Sequence, residues 1–200
     1  NLPVAGDIVT GQAKSSNVSE RIRAGEVGGL FNLKGADKIR DVQRIAVEES
    51  RLGIPILFGM DVIHGYETIF PIPLGLSCSW DMEAVELSAR VAAEEASADG
   101  ICWTFSPMVD ISRDPRWGRT IETFGEDVLL SSNMGVAICR GLQKNGVIAT
   151  PKHYADNYSY GGRDSNVSDT SERTMREVYL KPFEKCFKEG GALSVMAAYN

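Results

Sequence analysis

Lys152 and His153 stand side by side at the end of an apolar run, GVIATPKHY (146–154). A lysine in that place can form a Schiff base with a carbonyl, and a histidine can move protons. The plain alternative is a lysine reaching solvent beside a histidine that caps a strand. Pro151 restricts Thr150 to extended geometry and so fixes the approach of the pair. In GMDVIHG (59–65), Asp61 and His64 lie three residues apart between glycines. Asp61 suits a base, a metal ligand, an acceptor of hydroxyl protons or a turn cap. One carboxylate and one histidine make a thin metal site, which favours the hydrogen-bond acceptor. A third stretch, SRDPRWGRTIETFGED (112–127), holds Arg113, Arg116 and Arg119, the carboxylates Asp114, Glu122, Glu126 and Asp127, and Trp117. Much of it reads as a solvated loop of paired charges. Exposed pairs contribute only about 0–1 kcal/mol each, so the pairing is better understood as a scaffold that positions one or two arginines. Trp117 is the residue that a solvated loop explains least.

Together these groups form a set that suits carbohydrate. Fixed polar side chains can each serve two vicinal hydroxyls, and aromatic faces cover the apolar side of a sugar ring. Asp61, Lys152, His153 and an arginine of 112–127 supply the first kind; Trp103, Trp117, Tyr154, Tyr158 and Tyr199, near them in sequence, supply the second. Phosphate binding would call for a glycine-rich strand-to-helix turn. Neither G-x-G-x-x-G nor a Walker A sequence is present, and the glycines of GEVGGLF are wrongly spaced.

Five short apolar runs must carry these residues: 26–31, 54–61, 101–110, 146–154 and 192–200. They are continuously apolar rather than alternating, as expected of parallel strands covered on both faces by helices. Helical spacing separates them. From Asp81 to Asp99, Val85, Ala89, Ala92 and Ala96 form a stripe behind an acidic start. From Glu172 to Lys188, Met175, Tyr179, Phe183 and Cys186 share a face. Asp169 and Glu172 suit a capping box before it, Pro182 should kink it, and Gly190 and Gly191 stop it. The order β-α-β-α-β-α-β-α-β fits a (β/α)8 barrel or an open doubly wound sheet. Polar residues close every strand after the first: Asp61, Asp110, Lys152 with His153, and Tyr199 with Asn200. A barrel recruits nearly all its strand ends to one site, whereas an open sheet uses one crevice, so the barrel is favoured. Eight strands take about 250 residues. Five βα units therefore suggest the first part of a longer protein.

Composition excludes other classes. The 200 residues are 43% hydrophobic and 24% charged, ordinary for one globular domain. A net charge of -6, with no basic run, opposes nucleic acid as a partner. No apolar run reaches the roughly 18 residues of a membrane-spanning helix, and no membrane association is expected. The opening NLPVAGDIVTG lacks an initiator methionine and a basic-then-apolar leader, so either a targeting peptide has been removed or upstream sequence is missing. Cys78, Cys102, Cys139 and Cys186 are widely spaced and read as buried small hydrophobes, with a disulfide in an oxidising compartment as the lesser reading.

The runs IPILFGMDVIHGYETIFPIPLGLS, FSPMVDISRDPRWGRTIETFGED, PKHY, SERTMREVYLKPF and SVMAAYN resemble, in order and spacing, the glycoside hydrolase family 3 β-glucosidases. The resemblance covers nearly the whole chain. It implies a (β/α)8 first domain that binds the non-reducing sugar of a β-glucoside or oligosaccharide; no cofactor and no metal are expected. By the same resemblance Asp61 and Arg119 grip sugar hydroxyls, Lys152 and His153 are the family's KH pair, and Arg163 is a further ligand contact. Met196 and Tyr199 flank the sugar and the nucleophile. The reaction implied is exo-acting hydrolysis with retention. The nucleophile aspartate, of an S-D-W or S-D-H motif, and the acid/base are expected beyond residue 200. The loop KHYADNYSYGGRDSN has no second histidine, which disfavours the family's N-acetylglucosaminidase branch. A homodimer and a periplasmic or secreted location are admitted by the resemblance. Two rivals stay open: a sugar-binding protein without catalysis, and a Schiff-base barrel enzyme using Lys152.

Overall fold

The computed structural model describes residues 2–3, 17–158 and 167–200. Its centre is a parallel sheet of four strands in sequential order, β1 (Leu2–Pro3), β2 (Gly29–Phe31), β3 (Leu57–Met60) and β4 (Trp103–Thr104). Register runs from Leu2 opposite Leu30, through Leu30 opposite Phe58, to Gly59 opposite Trp103. The ladder continues as isolated parallel bridges, Trp103 with Ile148, Met108 with Lys152 and Tyr154 with Ala197. Thus the expected strands at 146–154 and 192–200 lie in sequence order beside β4, as bridges rather than regular strands. Pro107 and Pro151 lack the N–H that an unbroken ladder needs there. The sequence reading missed β1, because Leu2–Pro3 is too short to carry a periodic signal.

The connections are helical: α1 (Val18–Arg23), α2 (Ala36–Arg44), α3 (Pro73–Ser77), α4 (Met82–Ala98), α5 (Val128–Gln143), α6 (Glu172–Thr174) and α7 (Lys181–Lys188). In α4 the expected stripe Val85, Ala89, Ala92 and Ala96 is buried, and the Asp81 side chain caps the helix by accepting from Ala84 N at 3.0 Å. This helix joins two cores. Val85 and Ala89 pack with Val109, Met134, Leu142 and Phe183, whereas Ala92 and Ala96 pack with Leu30, Ile39, Phe58 and Ile101. Each large apolar side chain taken fully from water stabilises by about 1.5–3 kcal/mol, so the two cores supply most of the drive to fold.

Two local expectations are corrected. The cap of α6 is Ser171, whose hydroxyl accepts from Thr174 N at 3.2 Å, rather than Asp169. The segment 172–188 is not one kinked helix. A π-turn, Met175–Tyr179, separates α6 from α7, and Pro182 falls in the first turn of α7, where its missing N–H costs no hydrogen bond. Tyr179, Phe183 and Cys186 are nevertheless buried as expected. Among the cysteines, Cys139 and Cys186 are buried and Cys102 is half-buried; Cys78 is exposed, against expectation.

Helix α5 lies directly on α4 because Gly141 has no side chain. A Cβ there would stand 2.4 Å from the Glu86 carbonyl oxygen and 2.7 Å from Ala89 Cβ. Backbone cannot yield as a flexible side chain does. Gly141→Ala should therefore lower stability by about 1–3 kcal/mol, read as a lower denaturant midpoint; an unchanged midpoint would show that the two helices can part freely.

Candidate active site

The C-terminal ends of successive strands deliver the site. Asp61 follows β3 directly, and its neighbour Val62 donates its N–H to the buried Thr104 hydroxyl at 3.2 Å. Lys152 is held by backbone bonds on both sides, its N–H donating to Pro107 O at 3.0 Å and its carbonyl accepting from Val109 N at 3.0 Å. The Lys152–His153 peptide bond is cis. Met196 and Tyr199 arrive on the last run, where Tyr154 N donates to Met196 O at 2.7 Å and Tyr199 N to the Asn157 side-chain oxygen at 3.1 Å.

Arg119 sits between two short 3-10 turns, Pro115–Trp117 and Thr120–Glu122. Asp114 opens the first by accepting from Arg116 N, and Ser112 closes the loop through Thr120 Oγ1 at 2.7 Å and Gly125 O at 3.1 Å. The charges divide as the scaffold reading requires. Arg116 pairs with Asp114 at the surface, Asp127 caps α5 through Leu130 N, and Arg113 lies over the rings of Tyr158 and Tyr179. Of the three arginines, Arg119 is the buried one, 6% exposed.

The polar core of the site is a chain of pairs. Lys152 Nζ donates to Asp61 Oδ1 at 3.0 Å, with Lys152 buried and the Asp61 side chain 45% exposed. Arg119 donates to Glu122 through Nε and Nη2, each at 2.8 Å, in the bidentate fork that a guanidinium matches best. Its Nη1 lies 3.4 Å from His153 Nε2. His153, fully buried, meets Asp110 with ring Nδ1 at 2.8 Å and with its backbone N at 3.1 and 3.2 Å. Burial by itself pushes the Glu122 carboxyl up, but the Arg119 hydrogen bonds and charge, with Lys152 and His153 adding to them, bring it below its ordinary value.

Beside these groups is a cavity of ≈ 540 Å³. Asp61, Arg119, Glu122 and Lys152 give it a charged lining, and Phe31, Trp103, Phe105, Met196 and Tyr199 line it as well. The rings are ordered by contact: Trp103 meets Phe105 edge-on at 4.8 Å, Phe105 meets Phe31 at 6.0 Å, and the indole N–H of Trp103 donates to Thr150 Oγ1 at 2.8 Å. Gly59 makes room for them. A Cβ there would stand 2.9 Å from the Trp103 ring and 3.0 Å from that of Phe105.

Of the residues expected at the site, the structure brings Asp61, Arg119, Lys152, Met196 and Tyr199 to one cavity. His153 joins them from behind, against Arg119 and 5.2 Å from the Tyr199 ring, and does not line the wall. Arg163 lies outside the described residues. Trp117 and Tyr158, expected among the sugar-facing aromatics, instead pack on each other in a buried core with Met108, Ile111 and Tyr179. Tyr154 faces a different cavity. Sequence reasoning missed Phe31, Phe105, Glu122 and Asp110 as members of the site. Asp110 carried a signal, since it closes a strand as Asp61 does; Phe31 and Phe105 carried none beyond belonging to apolar runs.

Residues 5–200 match the glycosyl hydrolase family 3 N terminal domain. The chain belongs to this family. Its relatives include a periplasmic beta-glucosidase of Salmonella typhimurium, 40% identical over 190 residues that cover 92% of this chain and 25% of that protein. A beta-xylosidase of Formosa agariphila is 38% identical over 184 residues, covering 82% and 25%. Among solved structures, a mutant beta-glucosidase from Listeria innocua in complex with laminaribiose superposes with a TM-score of 0.82 at 39% identity, covering 88% of this chain and 25% of that one. The chain thus spans about a quarter of the length of these relatives.

The depressed Glu122 carboxyl fixes the sign of a pH effect. Its pairing with Arg119 stabilises the fold above its ordinary value of 4.5 and is lost as pH falls through the lower folded-state value. Wild type should therefore exceed Glu122→Gln in denaturant midpoint at neutral pH, and the two should converge in acid. A gap that stays constant through the acid range would show that the Glu122 charge is not its source.

Proposed function

We propose that this chain is the sugar-holding part of a retaining, exo-acting β-glycosidase, a β-glucosidase in the first instance, within a (β/α)8 barrel to which it contributes the first βα units. The observation that carries the proposal is the cavity that the Asp61–Lys152 pair and the Arg119–Glu122 pair line together with Trp103, Phe105 and Tyr199. A half-exposed carboxylate accepts protons from adjacent hydroxyls, buried cations donate to them, and ring faces cover the apolar side of a pyranose. The names of the relatives, beta-glucosidase and beta-xylosidase, support a β-glycoside as substrate. The laminaribiose complex of the Listeria protein supports a β-glucoside among these. The periplasmic relative supports a periplasmic or secreted location, and among the described residues no helix is long and apolar enough to cross a membrane.

In this reading Asp61, Arg119 and Lys152 hold the sugar, His153 supports Arg119, and Met196 and Tyr199 border the reacting centre. Arg163 is proposed as a further ligand contact on the resemblance alone. Glu122 is not poised to give a proton, because it is paired with Arg119 and held below the ordinary range, and the Asp61 carboxylate is taken up by Lys152. The two carboxyl groups of a retaining glycosidase, nucleophile and acid/base, are therefore proposed to come from outside these 200 residues. The hydroxyl contacts lower the barrier to the extent that they strengthen as positive charge develops on the ring. The contact of Lys152 Nζ with Asp61 engages the amine that a Schiff base would need free, and so weighs against that reading.

In the full-length protein, Asp61→Ala should lower kcat/KM for an aryl β-glucoside by about 3 kcal/mol or more, since a charged acceptor of hydroxyl protons is removed. A loss below about threefold would remove Asp61 from the sugar site.

A further inference from the structure

His153 touches Arg119 and Asp110 with its two ring nitrogens, and the chemistry of those partners decides which nitrogen carries the proton. A guanidinium has donors and no acceptor. Arg119 Nη1, 3.4 Å from Nε2, therefore requires Nε2 to offer its lone pair. The proton then sits on Nδ1, which is where Asp110 Oδ2 stands at 2.8 Å, and a carboxylate can only accept. Both contacts demand the same tautomer. Asp110 also takes the His153 backbone N–H, at 3.2 Å through Oδ1 and 3.1 Å through Oδ2, so one carboxylate holds ring and main chain together. The Asn157 amide nitrogen approaches Nδ1 at 3.5 Å, the outer edge of hydrogen bonding, while its oxygen accepts from Tyr199 N. Asp110 is 4% exposed and absent from the cavity wall.

We propose that Asp110 is a positioning residue: by locking His153 in its Nδ1–H form, it presents Nε2 as the acceptor that braces Arg119, as Glu122 does from the other side, at the angle where Arg119 meets the sugar. The inference rests on the reading of Arg119 as a sugar contact. Glu122 holds Nε and Nη2, and His153 meets Nη1, so the guanidinium plane is gripped on two edges. In the other tautomer Nε2–H would point at a cation and the second grip would become a repulsion.

The test is a double-mutant cycle in the full-length protein, with 4-nitrophenyl β-glucoside as substrate and Asp110→Asn, His153→Leu and the double variant compared with wild type. Asparagine keeps the shape of Asp110 but can donate as well as accept, so the tautomer is no longer dictated. Asp110→Asn should lower kcat/KM by roughly 10- to 100-fold, mainly in kcat, yet by less than about threefold in the His153→Leu background. Losses that multiply independently, or Asp110→Asn at wild-type activity, would overturn the inference. Should Asp110→Asn lose native circular dichroism, His153→Gln and His153→Asn decide instead. Glutamine places its amide near the Nε2 position and should retain more activity than asparagine, which reaches only the Nδ1 position; equal activity would overturn the inference. Asp61→Ala separates the two readings. If it lowers turnover while Asp110→Asn leaves it at the wild-type level, only the role of Asp110 fails. If wild type binds glucose without turnover, the hydrolase reading fails and the same cycle is read from glucose Kd. If it does neither, both readings fall.

Discussion

A charge withdrawn from water must be met by an opposite charge or by a full set of hydrogen bonds, and this chain withdraws several in one place. Lys152, Arg119 and Asp110 are almost fully buried at the ends of neighbouring strands and loops. Each is answered: Lys152 by Asp61, Arg119 by Glu122 and His153, Asp110 by His153. Removing one member of such a pair leaves its partner charged in a poor solvent, at a cost of about 3–5 kcal/mol. The network is therefore geometrically strict. It ties together the ends of β3 and β4, the arginine loop and the run that carries Lys152, and it leaves the half-exposed face of Asp61 toward the cavity.

The apolar framework makes that strictness affordable. Helix α4 belongs to two cores at once, and α5 packs on it so closely that Gly141 admits no side chain. A framework this tight limits how far the strand ends can drift, and the proposed sugar site depends on that limit, because a misplacement of about an ångström is enough to cost a positioned contact much of its effect. The aromatic residues divide accordingly. Trp117, Tyr158 and Tyr179 pack behind the arginine loop and stiffen it, while Trp103 and Phe105 form the wall, with the indole N–H tied to Thr150 and the rings seated over Gly59. The tryptophan in the most heavily charged part of the sequence thus supports the site from within the core.

Much of this was legible beforehand, for identifiable reasons. The stripe of α4 and its acidic start depend on neighbours within one or two turns, and both appear as expected. Asp61 and Lys152 could be singled out because a charged residue ending an apolar run has few structural excuses, whereas the choice of Arg119 among the three arginines of its loop came from the resemblance to the family. The misses share a cause as well. Asp169 and Ser171 both suit a cap, and two residues of register decide between them; the π-turn that separates α6 from α7 leaves no mark on the apolar periodicity. Trp117 and Trp103 are indistinguishable as letters, since both rings suit a core as well as a sugar.

The sequence by itself determined the alternation of strands and helices, the family and the identity of the principal polar residues, because these follow from local periodicity and from motifs whose members lie within a few residues of one another. Tertiary structure alone decided which charges pair, which rings face the cavity, and that His153 stands behind Arg119 with Asp110 at its back. Asp61 and Lys152 are 91 residues apart, and Asp110 and His153 are 43 apart. Contacts at such separations are made only when the sheet sets strand beside strand, and the free energy that chooses among them is the cost of leaving a buried charge without a partner.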